Sequence, residues 1–383
     1  MSAPGGFRSV AIIGVGLIGG SIAAALKRLP DAPRVVGINR GSETVEYALE
    51  HGIIDEGTVI GTPEMDAWIG PDGVDLVIIA TPARFAAGWL ETLGAAGYKG
   101  VVTDAASTKA GVLAAARAAL PDPSRFVGGH PMAGSERSGI GAARADLFEG
   151  AYWLLTPTHD SDPEVYTAMH AFVSALGARV ISVDADAHDE AVAIVSHVPH
   201  VAAAALVNLA AAHSGERGEL MRLAAGGFKD TTRIAAGSAD LWTGICLDNA
   251  HAIADGLEEL RERLGGFESL VRERDAEGMR AWLEIAAEVR RALPAQWVPA
   301  TTQLTEIAVP MLDRPGVVAE ITGAVSRAGC NIEGIDIDHE TEDTAVLVLV
   351  LTDEGDQGAL VADLAARGYE PRTTPLAEAG EDR

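Results

Sequence analysis

The sequence predicts an α/β protein: a Rossmann-like dinucleotide-binding domain, then an all-helical domain, then a ferredoxin-like βαββαβ domain. Three observations predict this. A glycine-rich turn joins a strand to a helix near the start of the chain, and a long strand-free stretch follows with an apolar residue every three or four positions. The last segment reads strand, helix, strand, strand, helix, strand. We expect the domains to span residues 1–185, 186–295 and 303–375.

The composition is that of a folded, strongly acidic protein. The 383 residues are 48% hydrophobic and 22% charged, which excludes a disordered chain. Twenty-nine basic residues against 55 acidic ones leave a formal net charge of −26, so we expect no nucleic-acid partner. The acidity fits either an ordinary solubilising surface or adaptation to high salt. The two cysteines form no C-x-x-C pair, which favours a reducing, cytoplasmic location.

The longest apolar run, residues 191–212, approaches the length of a membrane span. It is interrupted by His197, Pro199, His200 and Asn208, so we expect a buried helix and no membrane association. The start of the chain also lacks the charged-then-apolar pattern of a signal peptide, so export is not expected.

The glycine-rich turn is the predicted cofactor site. Gly14 allows the tight turn, Gly16 lets the backbone approach a pyrophosphate, and Gly19 permits close packing of the helix on the strand. An ordinary glycine loop is the alternative, but the strand before it and the helix after it favour a dinucleotide. The cofactor-binding residues expected here, with those at a later strand end, are Gly14, Gly16, Leu17, Ile18, Gly19, Thr81 and Pro82.

The end of the second predicted strand bears on the choice between NAD and NADP. A carboxylate there would bind the ribose 2′-hydroxyl of NAD, but this chain has Asn39 followed by Arg40. A guanidinium at this point admits a 2′-phosphate, unless Arg40 is simply a solvated surface residue. We therefore expect NAD or NADP, with a slight preference for NADP.

His130 is the predicted catalytic base. It is expected to follow a strand over residues 125–128, at the sheet edge beside the nicotinamide. A neutral imidazole there can accept a proton from an alcohol as hydride leaves the same carbon, so the rate should rise through the titration of His130, within the neutral range. Ser107, at another predicted strand end, either hydrogen-bonds the same hydroxyl or caps a helix.

A second group of polar residues lies in the helical region. His188, His197 and His200 are candidates for substrate binding; a buried histidine pair satisfied by the backbone is the alternative. Their spacing permits a metal site, but no cysteine or third closely spaced ligand completes one, so we expect no metal. Arg233 either binds a carboxylate or pairs with Asp230.

Four motifs, in this order and spacing, resemble prephenate dehydrogenase: residues 14–21, 130–136, 188–189 with 196–200, and 230–233. Asp313 to Gly316 and Gly329 to Ile332 resemble an ACT domain, an amino-acid-sensing module. The resemblance implies oxidative decarboxylation of prephenate to 4-hydroxyphenylpyruvate, with reduction of NAD or NADP, in tyrosine biosynthesis. The alternatives are arogenate or dual-specificity cyclohexadienyl dehydrogenase, or a non-catalytic amino-acid sensor.

The resemblance also implies residue roles. His130, assisted by Ser107, holds the substrate hydroxyl, and Arg233 binds the ring carboxylate. Further pocket residues are implied, the last two of them contributed by the second subunit of a homodimer: Glu136, His188, His200, Gly226 and Trp242. Tyrosine or another amino acid is expected to bind at a regulatory site formed by Asp313, Pro315, Gly316, Asn331 and Ile332.

Overall fold

The computed structural model describes residues 3–134, 137–214, 224–292, 304–312, 314, 316–330, 332–339, 344–351 and 355–376. The chain divides into two compact units, Met1–Leu264 and Gly265–Arg383. The finer division into three domains stays a prediction.

The first unit is built on a parallel sheet whose strand order is β3-β2-β1-β4-β5. The strands are β1 (Ser9–Ile13), β2 (Arg34–Asn39), β3 (Glu56–Val59), β4 (Leu76–Ile79) and β5 (Val101–Asp104). Both faces of β1 are buried, with Val10 and Ile12 in one apolar core and Ala11 and Ile13 in the other. Because β1 is flanked by β2 and β4, the chain reverses direction across the sheet at this strand, which is where such folds bind ligands. The predicted Rossmann-like fold is confirmed.

Helices connect and cover these strands. They are α1 (Leu17–Lys27), α2 (Ser42–Glu50), α3 (Pro63–Ile69), α4 (Ala86–Ala95) and α5 (Ala110–Ala119). Strand β3 was not predicted, because Glu56, Gly57 and Thr58 lie on the sheet edge and supply no apolar run.

A second sheet, in the order β6-β7-β8, contains β6 (Gly128–Pro131), β7 (Tyr152–Thr156) and β8 (Arg179–Ser182), with α6 (Pro163–Ala175) between the last two. Strand β6 pairs antiparallel with β7, so it does not extend the parallel sheet as expected. It also begins later than predicted, because a 3₁₀ turn over Pro123–Arg125, capped by Asp122, precedes it. His130 consequently lies within the strand and not after it.

The helical region begins with α7 (Ala185–Val192), a π-helical turn (Ala193–His197) and α8 (Val198–His213). Pro199 lies in the first turn of α8 and has no N–H for the carbonyl of Val195, which explains the irregular turn before it. Four further helices follow: α9 (Gly226–Thr232), α10 (Ala239–Asp248), α11 (Ala250–Glu273) and α12 (Ala276–Ala292).

The stretch Ala185–His213 is long and apolar enough to cross a membrane by length and composition alone. Its most apolar window is only 33% buried within this chain, so the expectation of a buried helix is met only in part. Ile194, Val195, Leu206 and Leu209 are exposed.

The second unit contains the predicted βαββαβ fold. Its elements are β9 (Leu304–Leu312), α13 (Val317–Arg327), β10 (Ile332–His339), β11 (Thr344–Leu351), α14 (Gln357–Ala366) and β12 (Arg372–Leu376). The antiparallel sheet has the order β10-β11-β9-β12. Alternate residues of β11 are buried and pack with α13 and α14, as the period of a half-buried strand requires.

Candidate active site

The glycine loop joins β1 to α1 at the reversal point of the sheet. Gly14 has φ +95°, and a Cβ atom there would lie 2.9 Å from the carbonyl oxygen of Ala80. A Cβ at Gly19 would lie 2.2 Å from the carbonyl oxygen of Gly14. A Cβ at Gly16 would meet no atom within 4 Å. Two of the glycines are therefore required by the fold, whereas Gly16 borders open space.

The surroundings of this open space fit a dinucleotide. Helix α1 begins at Leu17 and Ile18 with no acidic residue in its first turn, so its free N–H groups can receive a phosphate. The hydroxyl oxygen of Thr81 is buried and lacks a hydrogen-bond partner within the described residues. Pro82 follows it with an extended backbone. A bound cofactor would supply the missing partner for Thr81.

Asn39 and Arg40 lie where the adenosine ribose of a dinucleotide is expected, at the end of β2. The amide of Asn39 donates to the carbonyl oxygen of Gly41 at 3.4 Å, and Arg40 is exposed. Neither side chain offers a carboxylate, so the choice between NAD and NADP stays a prediction.

His130 is held in a chain of three side chains. Its Nδ1 lies 2.8 Å from Nε2 of His188, and Nδ1 of His188 lies 2.8 Å from Oδ1 of Asp189. An ionised carboxylate only accepts hydrogen bonds, so Nδ1 of His188 carries the proton and Nε2 is the acceptor. His130 then donates from Nδ1, which leaves its Nε2 lone pair free. The arrangement presents His130 as a base.

The carboxylate of Asp189 also caps the start of α5. Its Oδ1 accepts from the backbone N–H of Lys109 at 2.7 Å, and its Oδ2 accepts from that of Ala110 at 2.9 Å. Ser107 therefore does not cap this helix, and its partly exposed side chain makes no hydrogen bond within the described residues. The structure thus removes the structural alternative for Ser107.

Burial and hydrogen bonding set the protonation of His130 and Asp189. The pKa of His130 is lowered well below its usual value, first by burial and then by the positive charge of Lys109. Burial opposes ionisation of Asp189, but hydrogen bonds from His188 and from the N–H groups of Ala110 and Lys109 keep its pKa below the usual value. We therefore now expect the rise in rate at more acidic pH than the neutral range, because desolvation of the partly buried imidazole disfavours its protonated form.

His197 and His200 lie beside this chain. The amide of Asn249 donates to Nδ1 of His197 at 3.2 Å, and burial lowers the pKa of His197 to about 4. The ring of Trp242 stacks on that of His200 with centroids 3.4 Å apart. Nδ1 of His200 is buried without a partner within the described residues, which suits a ring that binds a polar ligand.

Two other predicted site residues lie on α9 and on the turn that follows it. Gly226 begins α9, and Arg233 follows that helix with an exposed side chain. In the described part of the chain, Arg233 forms no ion pair with Asp230 or with any other carboxylate, so its guanidinium is available to a ligand. Four predicted residues lie outside the described residues: Glu136, Asp313, Pro315 and Asn331.

Two regulatory candidates are placed. Gly316 precedes α13 with φ +89°, and Ile332 begins β10. Helix α13 begins at Val317, directly after Gly316.

Four residues that support the histidine cluster were not predicted as site residues: Asp104, Lys109, Asp189 and Asn249. Each lies inside or near a motif that could have pointed to it. Asp189 directly follows His188, and Lys109 closes the same short segment as Ser107.

The chain is similar to known proteins along most of its length. The profile described as "Prephenate dehydrogenase, nucleotide-binding domain" matches residues 22–182, that of the "dimerization domain" matches residues 184–285, and that of the ACT domain matches residues 305–368. Prephenate dehydrogenase of Bacillus subtilis (strain 168) is 34% identical over 338 residues, which cover 88% of this chain and 89% of that protein.

Solved structures are similar as well. Prephenate dehydrogenase from A. aeolicus, in complex with hydroxyphenyl propionate and NAD+, has a TM-score of 0.70 and 30% identity, covering 75% of this chain and 98% of that one. Synechocystis arogenate dehydrogenase has a TM-score of 0.64 and 29% identity, covering 74% of this chain and 99% of that one. The chain belongs to the prephenate dehydrogenase family and carries a C-terminal ACT domain.

Proposed function

We propose that the protein oxidises and decarboxylates prephenate to 4-hydroxyphenylpyruvate, with a nicotinamide cofactor as hydride acceptor. The observation that carries this proposal is the Asp189–His188–His130 chain, which leaves a neutral imidazole nitrogen unpaired beside a dinucleotide fold. Family membership adds the reaction class, since relatives named prephenate dehydrogenase align along most of the chain.

The chemistry follows from the protonation of His130. Its Nε2 takes the proton of the substrate hydroxyl, and the nicotinamide, when bound, accepts the hydride from the same carbon. The new carbonyl withdraws electrons from the ring. The bond from C1 to its carboxylate then breaks, its electron pair enters the ring, and carbon dioxide leaves. The resulting phenolate regains the proton from His130, so the aromatic product leaves the base neutral for the next turnover.

Three polar or positively charged side chains are proposed to orient the substrate. Arg233, exposed and free of ion pairs in the described part of the chain, suits a carboxylate, which a guanidinium binds through two hydrogen bonds. The unpaired Nδ1 of His200 and the hydroxyl of Ser107 suit the polar groups at the ring. His188 has no exposed side-chain surface, so we assign it to orienting His130 and not to contacting the substrate.

Arogenate is the second candidate substrate, because relatives are named cyclohexadienyl dehydrogenase and arogenate dehydrogenase. Arogenate carries an amine where prephenate carries a keto group, a difference that a single side-chain contact can decide. The choice between NAD and NADP depends on the group at the 2′ position of the adenosine ribose. We propose NADP, because Asn39 and the exposed Arg40 lie where this group is expected.

The decisive experiment mixes the purified protein with prephenate or arogenate, each with NAD or NADP, and follows the reduced cofactor. We expect turnover with prephenate. Turnover with arogenate alone would reassign the substrate. Binding of a cofactor without turnover of either substrate would instead favour the non-catalytic sensor.

The pH profile supplies an independent check. His130 must be neutral to act, and its pKa is lowered, so kcat/KM should rise with pH on the acid side of the ordinary imidazole pKa and stay level through neutrality. A rise centred in the neutral range or above it would show that another group is the base.

We also infer a cytoplasmic homodimer that responds to an amino acid. The exposed apolar residues Ile194, Val195, Leu206 and Leu209 on one helical stretch suit burial against a second copy. Sedimentation at several concentrations tests the dimer.

Titration with tyrosine tests the effector, and ending the chain at Thr302 should abolish the response while activity remains.

A further inference from the structure

A buried ion pair lies behind His130 and takes no part in the chemistry proposed above. Nζ of Lys109 bonds to Oδ2 of Asp104, and both side chains have 0% exposure. Burying such a pair costs desolvation energy that its attraction repays poorly, so a buried ion pair is weak evidence for a contribution to stability. Its position calls for a different explanation.

The pair grips the residue that precedes His130. Oδ1 of Asp104 accepts from the backbone N–H of Gly129 at 3.2 Å, and Nζ of Lys109 donates to the carbonyl oxygen of Gly129 at 2.7 Å. Both polar groups of Gly129 are thus held by one ion pair. These two bonds hold the peptide groups on either side of Gly129, the second of which leads to His130.

The same lysine also connects to the other support of His130. Its backbone N–H donates to Oδ1 of Asp189, the atom that also accepts from His188. The main chain of Lys109 therefore holds the carboxylate that orients the imidazole chain, while its side chain holds the strand. Lys109 therefore contacts both groups that hold His130: the carboxylate of Asp189 and the backbone of Gly129.

We propose that Asp104 and Lys109 are positioning residues, which fix His130 in line with the substrate hydroxyl by clamping both peptide groups of Gly129. This inference rests on the proposed function of His130 as the base. Positioning of this kind is worth a large factor in rate, since a displacement of about 1 Å can cost roughly 100-fold.

The charge of Lys109 adds an electrostatic effect. Burial is the first cause of the lowered pKa of His130, and the Lys109 ammonium is the second. The other groups that lower this pKa are His188 on α7 and His197 in the π-helical turn. Removal of the lysine charge should therefore raise the pKa of His130 while burial still holds it down.

The test is a double variant, Asp104→Asn with Lys109→Met. It removes both charges together, so neither is left buried alone, and the asparagine oxygen can still accept from Gly129. We expect a folded protein whose kcat falls by about 10- to 100-fold. KM for the cofactor should change little, so that the loss lies in kcat.

A matched control neutralises another ion pair in the same unit. Arg34 and Glu56 join β2 to β3, with exposures of 44% and 53%. The variant Arg34→Met with Glu56→Gln should leave kcat and the pH profile unchanged. A double variant at Asp104 and Lys109 that also keeps wild-type kcat would overturn the inference.

Lys109→Arg serves as a second variant should the double variant not fold. It keeps the charge and alters the geometry, so kcat should fall while the acid limb stays in place. Wild-type kcat in this folded variant would contradict positioning. Turnover by the wild-type protein is measured first, so that failure of the proposed function is seen separately.

Discussion

At the scale of single residues, His130 acts through its unprotonated Nε2, because His188 and Asp189 fix the tautomer of the ring. The substitution His130→Asn keeps a polar group in β6 but removes the base. We expect kcat to fall by about 100- to 10,000-fold, the usual contribution of general base catalysis, with binding of the cofactor preserved. Steady-state kinetics with a separate cofactor titration measures both. Activity within a few-fold of wild type would exclude His130 as the base.

Arg233 should behave differently because it binds a group that does not react. A carboxylate contact forms already in the ground state, so Arg233→Ala should mainly raise KM for the substrate. We expect a loss of about 1.5–3 kcal/mol in binding, the usual worth of a hydrogen bond to a charged group. Lys229→Ala, an exposed cation on α9, is the control. A fall in kcat without a change in KM would place Arg233 in the chemical step.

Asp189 should matter through the tautomer that it imposes. Asp189→Asn offers His188 an amide that can donate, so the preferred direction of the chain of hydrogen bonds to His130 is lost. We expect kcat to fall by at least about 100-fold, since the corresponding change in a serine-protease triad costs about 10,000-fold. The exposed Asp186 on the same helix provides the control variant Asp186→Asn. Equal kinetics for the two variants would refute the role.

The sequence allowed His130, Ser107 and the histidine cluster to be chosen as candidates, because each lies in a short polar motif. The supporting roles were not predictable. Lys109 and Asp189 are 80 residues apart in the chain and meet only in the folded protein. No local pattern shows that one carboxylate both caps α5 and orients His188.

At the scale of elements, the glycine loop contains one glycine that the fold requires, Gly19, and one that we expect only the cofactor to require, Gly16. Gly19→Ala should destabilise the protein, because the new Cβ would lie 2.2 Å from a backbone oxygen. Gly16→Ala adds a Cβ to open space, so it should fold with a similar melting temperature and bind the cofactor more weakly. Calorimetry and cofactor titration of both variants test this. Equal loss of stability in both would contradict the division.

Regular elements with a strong apolar pattern were predicted well. Strand β11 agrees with the predicted βαββαβ order, because its alternation of buried residues is a local signal. Strands β3 and β6 were missed or shifted, since one is a polar edge strand and the other starts after a capped turn. Pairing in a second sheet depends on distant segments, so the antiparallel partner of β6 could not be read from its own sequence.

At the scale of the whole molecule, the excess of acidic residues is the dominant property. A net charge of −26 destabilises the folded state, because the acidic groups lie closer together and repel one another more strongly there than in the unfolded chain. Salt screens this repulsion, because the Debye length shortens from about 30 Å at 0.01 M to about 8 Å at 0.15 M. We therefore expect the midpoint of thermal unfolding to rise over this range of salt concentration.

The exposed face of α2 provides the matched variant. Glu46 and Glu50 are four residues apart near the end of that helix, where like charges repel each other and also oppose the helix dipole. Glu46→Gln with Glu50→Gln should raise the melting temperature in dilute buffer and reduce its dependence on salt. If screening is the whole effect, the midpoint should level off once the Debye length falls to about 3 Å, near 1 M salt. A midpoint that kept rising steeply beyond that concentration would instead favour adaptation to high salt, and one independent of salt throughout would contradict the repulsion itself.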